Sequence, residues 1–93
     1  MDDEAPTLRR IRSDLDALGS TRSPEAQALR RVLGWAEYAE FKEGAPFEEN
    51  RVPSLVQLAV ERFTTEASTY AGGGDAVAAA AHRQSAAALA PYL

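Results

Sequence analysis

The chain has 93 residues, a length that allows one domain built around a single hydrophobic core. It contains no cysteine, which excludes disulfide bonds and thiolate metal sites, and its formal net charge of -4 disfavours direct recognition of a nucleic acid backbone. The longest apolar run, residues 76–81, is far shorter than the roughly 20 residues that a membrane span needs, and the acidic N-terminus is unlike a secretory signal.

The N-terminal half of the chain predicts two helices. Residues 1–6 form an acidic segment ending in proline, which we expect to be a flexible leader. Apolar residues then recur at intervals of three and four, at Leu8, Ile11, Leu15 and Leu18. This spacing predicts a helix over 8–18. Ser23 and Pro24 supply an N-cap and a proline at the first helical position, and they predict a second helix over 24–43, ended by Gly44.

The C-terminal half predicts two more helices after a loop at 44–52, which Phe47 is expected to hold to the body. The third helix, over 53–71, begins at a proline and places its apolar residues on one broad face, namely Leu55, Val56, Ala59, Val60, Phe63, Ala67 and Tyr70. Asp75 is a good N-cap for an alanine-rich fourth helix over 76–90. The predicted fold is an all-α bundle of about four helices in a single domain, 1–93.

Two groups of residues on these helices do not fit a simple solvated face. Gly34, Tyr38 and Phe41 lie together on the outer side of the second helix, although glycine in a helix interior costs about 1 kcal/mol relative to alanine. They predict either a partner surface, or a Phe41 ring that folds over the following loop while Tyr38 lies flat on the surface.

The second group is on the third helix, where Arg62 and Glu66 are spaced to pair beside Leu58. This stripe predicts either a second packing surface, apolar enough to be buried and charged enough to set the register of a partner, or an ordinary solvated ion pair.

The sequence offers little for catalysis or metal binding. His82 is the only histidine and has no glutamate three residues before it, so the Glu-x-x-His motif of di-metal bundles is absent. The same histidine would have to serve any serine nucleophile, and we expect it to be a surface residue of the last helix. We therefore predict no enzymatic activity and no catalytic, cofactor-binding or metal-binding residue.

Several short motifs are similar to a known family. Residues 7–11 (Thr-Leu-Arg-Arg-Ile) with Leu15 resemble the first helix of the small helical head-tail connector, or adaptor, proteins of long-tailed bacteriophages. Residues 33–38 (Leu-Gly-Trp-Ala-Glu-Tyr), followed by Gly44 and Phe47, resemble the second helix of that family and its glycine stop. The resemblance covers most of the chain.

The second half of the chain both extends this resemblance and departs from it. Residues 52–53 (Val-Pro) resemble the start of the central helix of the family, and residues 86–93 resemble its Leu-Leu-x-Pro-Tyr-Arg end, with Leu93 in place of the final basic residue. The family often has Tyr-Thr-Gly where residues 42–44 are Lys-Glu-Gly, and an aromatic pair where residues 62–63 are Arg-Phe.

The resemblance implies a structural protein of the virion neck, assembled in the host cytoplasm. Such a protein forms a ring with copies of itself, of about twelve subunits, and joins the portal protein to the tail and stopper proteins. The candidate partner-contacting residues are Gly34, Tyr38, Phe41, Leu58, Arg62, Glu66, Tyr92 and Leu93. Tyr92 and Leu93 would dock with the last helix on the portal.

An alternative is a small acidic, helical protein-protein interaction module, secreted or cytosolic, which works as a dimer with one dedicated partner. Trp35 follows Gly34 inside a helix, and not in a turn between two helices as that class leads us to expect.

Overall fold

The computed structural model describes residues 4–93, and these residues form a bundle of four α-helices with extents of 47 × 26 × 21 Å. The helices are α1 (Pro6–Leu18), α2 (Pro24–Glu43), α3 (Val52–Gly72) and α4 (Ala76–Ala88), with short 3₁₀ turns at Glu49–Arg51 and Ala90–Tyr92. The predicted all-α class and the four helices are confirmed.

The bounds of α2 match the prediction because both of its ends are specified by local chemistry. The Ser23 hydroxyl accepts a hydrogen bond from the Ala26 amide at 3.2 Å, and Pro24 occupies the first helical position. Gly44 closes the helix in the left-handed conformation at φ 70°, which glycine adopts without steric cost. At α4, the Asp75 carboxylate accepts from the Ala78 amide at 3.0 Å in the same way.

The N-terminus differs from the prediction because α1 begins two residues earlier, at Pro6. The described part of the predicted leader is tied to the body, since Ala5 is buried and Glu4 forms an ion pair of 2.6 Å with Arg12. The rest of that leader, residues 1–3, lies outside the described residues. Thr7 donates from both its amide and its hydroxyl to Glu49, which joins the start of α1 to the loop before α3.

The loop between α2 and α3 is held by Phe47, as predicted. Phe47 is buried in the core, and its amide donates to the Glu40 carboxylate at 3.0 Å. Arg51 covers the Phe47 ring from 4.4 Å and forms a 2.7 Å ion pair with Glu43 at the end of α2. The loop is therefore anchored to α2.

The core combines residues from all four helices. Its largest fully buried side chains are Leu8, Ile11, Val32, Val52, Val56 and Leu89. Of the apolar face predicted for α3, Val56, Ala59, Phe63 and Ala67 are buried and Leu55 and Val60 are partly buried. Tyr70 was expected there but is exposed, because it lies in the last turns of α3, where its ring lies 4.8 Å from the His82 ring.

Helix α4 runs along α3 and carries small residues into the bundle. Ala79 and Ser85 are buried, whereas Val77 points away and is 83% exposed. The Ser85 hydroxyl donates to the carbonyl of Pro24 at 2.9 Å and so joins α4 to the start of α2. The helix was predicted to reach residue 90 but ends at Ala88. The α conformation is disfavoured at Ala90 because this residue precedes Pro91.

Candidate interaction surfaces

The outer side of α2 carries exposed aromatic side chains. Tyr38 is 63% exposed and Phe41 is 83% exposed, so the Phe41 ring is not folded over the loop that contains Phe47. Gly34 lies on the same side of α2, one turn before Tyr38 and two turns before Phe41, and a Cβ built there would meet no atom of residues 4–93 within 4 Å. The fold of the single chain therefore gives no steric reason for a glycine at this position.

The exposed part of the predicted stripe on α3 lies beside this side of α2. Leu58 is 47% exposed, and the guanidinium carbon of Arg62 lies 5.8 Å from the centre of the Trp35 ring. Two facing pairs, Arg31 with Glu66 and Trp35 with Arg62, show that α2 and α3 run antiparallel, and this direction places Leu58, one turn before Arg62, at the level of Tyr38. We call Gly34, Tyr38, Phe41 and Leu58 the aromatic face.

The sequence-based pairing of Glu66 with Arg62 is wrong. The Glu66 carboxylate instead accepts a 2.9 Å hydrogen bond from Arg31 of α2, and it lies 3.5 Å from the His82 Nε2 of α4. Arg31 also covers the Phe63 ring at 3.9 Å. Because Arg31 reaches Glu66 from the neighbouring helix, Glu66 is engaged inside the monomer and does not belong to the aromatic face.

His82 was predicted to be a surface residue, but the structure places it partly inside the bundle. Its Nδ1 donates to the carbonyl of Ala78, one turn earlier in α4, at 2.7 Å. Its ring lies 6.0 Å from Phe63 and 4.8 Å from Tyr70, measured between ring centres. The two aromatic neighbours could not be read from the sequence because they belong to α3.

The C-terminal end also turns inward, which changes the role expected of Tyr92. Its hydroxyl donates to the Asp14 carboxylate of α1, and the Arg10 guanidinium carbon lies 4.6 Å from the centre of its ring. Arg10 further donates to the carbonyl of Pro91 at 3.3 Å. Burial, together with the hydrogen bond to Asp14, raises the pKa of Tyr92 to about 12. Tyr92 thus docks on its own chain, whereas Leu93 is exposed.

An open groove of about 490 Å³ lies beside Tyr92, where the end of α1, the start of α2 and the end of α4 meet. It is lined by Asp14, Leu18, Pro24, Glu25, Leu29, Gln84, Ala87, Ala88 and Tyr92. The groove combines an apolar lining with two carboxylates, a combination suited to a ligand that is both apolar and cationic. Sequence reasoning missed it, because the end of α4 and Tyr92 come from the other end of the chain to meet the turn between α1 and α2.

No cluster of three or more potential metal-ligating side chains occurs within residues 4–93. In the same part of the chain, no helix has the length and apolar character needed to cross a bilayer. Compared with known proteins, the chain matches no protein-family model, no curated protein sequence and no solved structure.

Proposed function

We propose that this chain is a structural protein of the phage neck, a ring-forming head-tail connector that joins the portal to the tail. The proposal starts from the resemblance of its helix motifs to that family. The observation that carries it furthest is the aromatic face, which leaves a phenylalanine, a tyrosine and a leucine in solvent around a helical glycine. Aromatic side chains of this kind anchor protein-protein contacts.

The position of Gly34 supports a contact with a closely approaching partner. Glycine weakens a helix interior by about 1 kcal/mol relative to alanine. Nothing within residues 4–93 occupies the space that a Cβ would fill, so packing among these residues does not compensate for this cost. A partner element lying across Gly34 and against the rings of Tyr38 and Phe41 would compensate by burying those rings.

The exposed apolar residues of the C-terminal part provide a second surface, for the portal. Val77 on α4 and Leu93 at the chain end are both largely exposed. Tyr92 is bound to α1 and does not belong to this surface. The portal would therefore contact Leu93 and the outer side of α4.

Negative-stain electron microscopy of the concentrated protein tests the proposal. Annular particles with rotational symmetry near twelvefold are the expected result, and Phe41→Glu should abolish them. Val77→Glu is the matched control, because Val77 is exposed to the same degree as Phe41 but lies outside the aromatic face. A stable two-fold dimer that forms no larger particle would contradict a ring and favour a small helical module with one dedicated partner.

A further inference from the structure

Two surfaces of opposite character lie near opposite ends of α2. The groove contains Glu25 and Leu29 in the first turns of the helix, and the aromatic face contains Tyr38 and Phe41 near its end. Twelve residues of helix separate Leu29 from Phe41, a rise of about 18 Å. Since the two surfaces are this far apart on one rigid helix, both can be occupied by neighbours at the same time.

The two surfaces are complementary in shape and polarity. The aromatic face projects large side chains, whereas the groove is a depression whose lining includes Leu18, Leu29 and Ala87. A groove of this volume lies within the range of protein sites that accept bulky apolar groups. An exposed aromatic ring that enters an apolar depression of a partner is the usual form of an interface anchor.

The two surfaces are also complementary in charge. Lys42 is exposed one turn beyond Tyr38, and Arg62 borders the face on α3. The groove has Asp14 and Glu25 in its lining. The net charge of -4 disfavours the close approach of two copies, so a local pairing of opposite charges favours one contact over others. When the aromatic face of one copy meets the groove of another, Lys42 and Arg62 are brought toward Asp14 and Glu25.

We infer that copies of this chain associate head to tail, with the aromatic face of one copy seated in the groove formed by the ends of α1, α2 and α4 of the next. A contact between two different patches is heterologous, so it leaves one free surface of each kind on every dimer and continues until the assembly closes. The inference rests on the proposed function, because it specifies the self-contact from which a ring would be built.

A mixing experiment with two half-defective variants tests this contact. Phe41→Glu removes the aromatic anchor and leaves the groove intact, whereas Ala87→Arg fills the groove with a cation and leaves the aromatic face intact. Both positions are exposed in the monomer, and Val77→Glu and Ala80→Arg are matched controls at exposed positions of α4 outside the two surfaces. Circular dichroism melts should show that all four variants remain folded.

Sedimentation velocity should give monomers for each half-defective variant at concentrations where the wild type and both controls assemble, with apparent dissociation constants raised at least tenfold. An equimolar mixture of the two variants should form a heterodimer that does not grow, because only one functional contact is available. Assembly of either variant alone, a mixture that stays monomeric, or a wild type that stays monomeric throughout would overturn the inference. Rings that persist in Ala87→Arg would overturn it and leave the proposed neck function standing.

Discussion

At the scale of single residues, Gly34 is a position where the stability of the monomer and the proposed assembly favour different residues. Gly34→Ala should raise the free energy of unfolding of the monomer by about 0.5–1 kcal/mol, because alanine favours the helix and the new methyl group meets no atom in the described part of the chain. The same methyl group should weaken the proposed assembly, because in the proposed contact the neighbouring copy occupies that space. Urea denaturation and sedimentation velocity on the same variant measure the two effects.

The reverse change at an exposed position of α4, Ala80→Gly, is the control for Gly34→Ala. It should lower the free energy of unfolding by about 1 kcal/mol and leave assembly unchanged. A more stable Gly34→Ala monomer that assembles as well as the wild type would remove Gly34 from the proposed contact.

Tyr92 predicts how the stability of the fold depends on alkaline pH. Its pKa is raised to about 12 in the folded state, because the phenol is partly buried and donates to Asp14, whereas an unfolded tyrosine titrates near pH 10. The stabilising contribution is therefore complete below about pH 10 and is lost as the pH rises through about 12. Urea midpoints should fall over this interval, and Tyr92→Phe should reduce the fall. An equal fall in Tyr92→Phe would contradict this role.

Some single-residue predictions were wrong for a physical reason. The pairing of Arg62 with Glu66 rested on helical spacing alone, but Arg31 reaches the same carboxylate from α2 and Arg62 lies over Trp35. Spacing along one helix defines which side chains are near each other on that helix. It does not reveal a competing partner on a neighbouring helix.

At the scale of helices, Glu66 ties α2, α3 and α4 together. Glu66→Lys should place a third basic group beside Arg31 and His82, and it should lower the free energy of unfolding by about 1–2 kcal/mol. Glu61→Lys, at an exposed position of the same helix, should change stability by less than about 0.5 kcal/mol. Equal unfolding midpoints for the two variants in urea would show that the cluster does not hold the helices together.

The packing of α4 depends on the small size of its buried residues. Ala79→Leu should lower the free energy of unfolding by about 1–3 kcal/mol, because the side chain at this position is buried and has no room for three more carbon atoms. The adjacent residue Ala80 is exposed, so Ala80→Leu should be close to neutral. Thermal melts of the two variants test this packing. A lower melting temperature is expected for Ala79→Leu alone, whereas a loosely packed α4 would tolerate both substitutions.

Helix boundaries were predictable where a local signal fixes them. Ser23, Pro24 and Gly44 specify both ends of α2 through bonds and dihedral angles within a few residues, and the observed helix has the predicted limits. The docking of the C-terminal end was not predictable, because it depends on the pairing of Tyr92 with Asp14, which lies 78 positions earlier in the chain. A helix end that is set by residues within one turn can be predicted from the sequence. A contact between distant elements can be identified only from the folded structure.

At the scale of the whole molecule, the elongated bundle separates two different surfaces along α2. The exposed aromatics of that helix were identified from the sequence, because Tyr38 and Phe41 fall on its polar side. The groove was not identified, because it exists only when the ends of α1, α2 and α4 come together, and Glu25 by itself indicated only the start of a helix. The groove, which would receive the aromatic face in the proposed contact, could therefore be identified only from the folded structure.

The most direct test of the central claim, that the chain assembles with itself into a ring through two different surfaces, is native mass spectrometry of the wild-type protein over a range of concentrations. The account predicts growth from monomer to species of about a dozen copies, because each heterologous contact leaves surfaces free for the next subunit. A dimer that never grows as the concentration is raised would contradict it, since a closed pair consumes both surfaces.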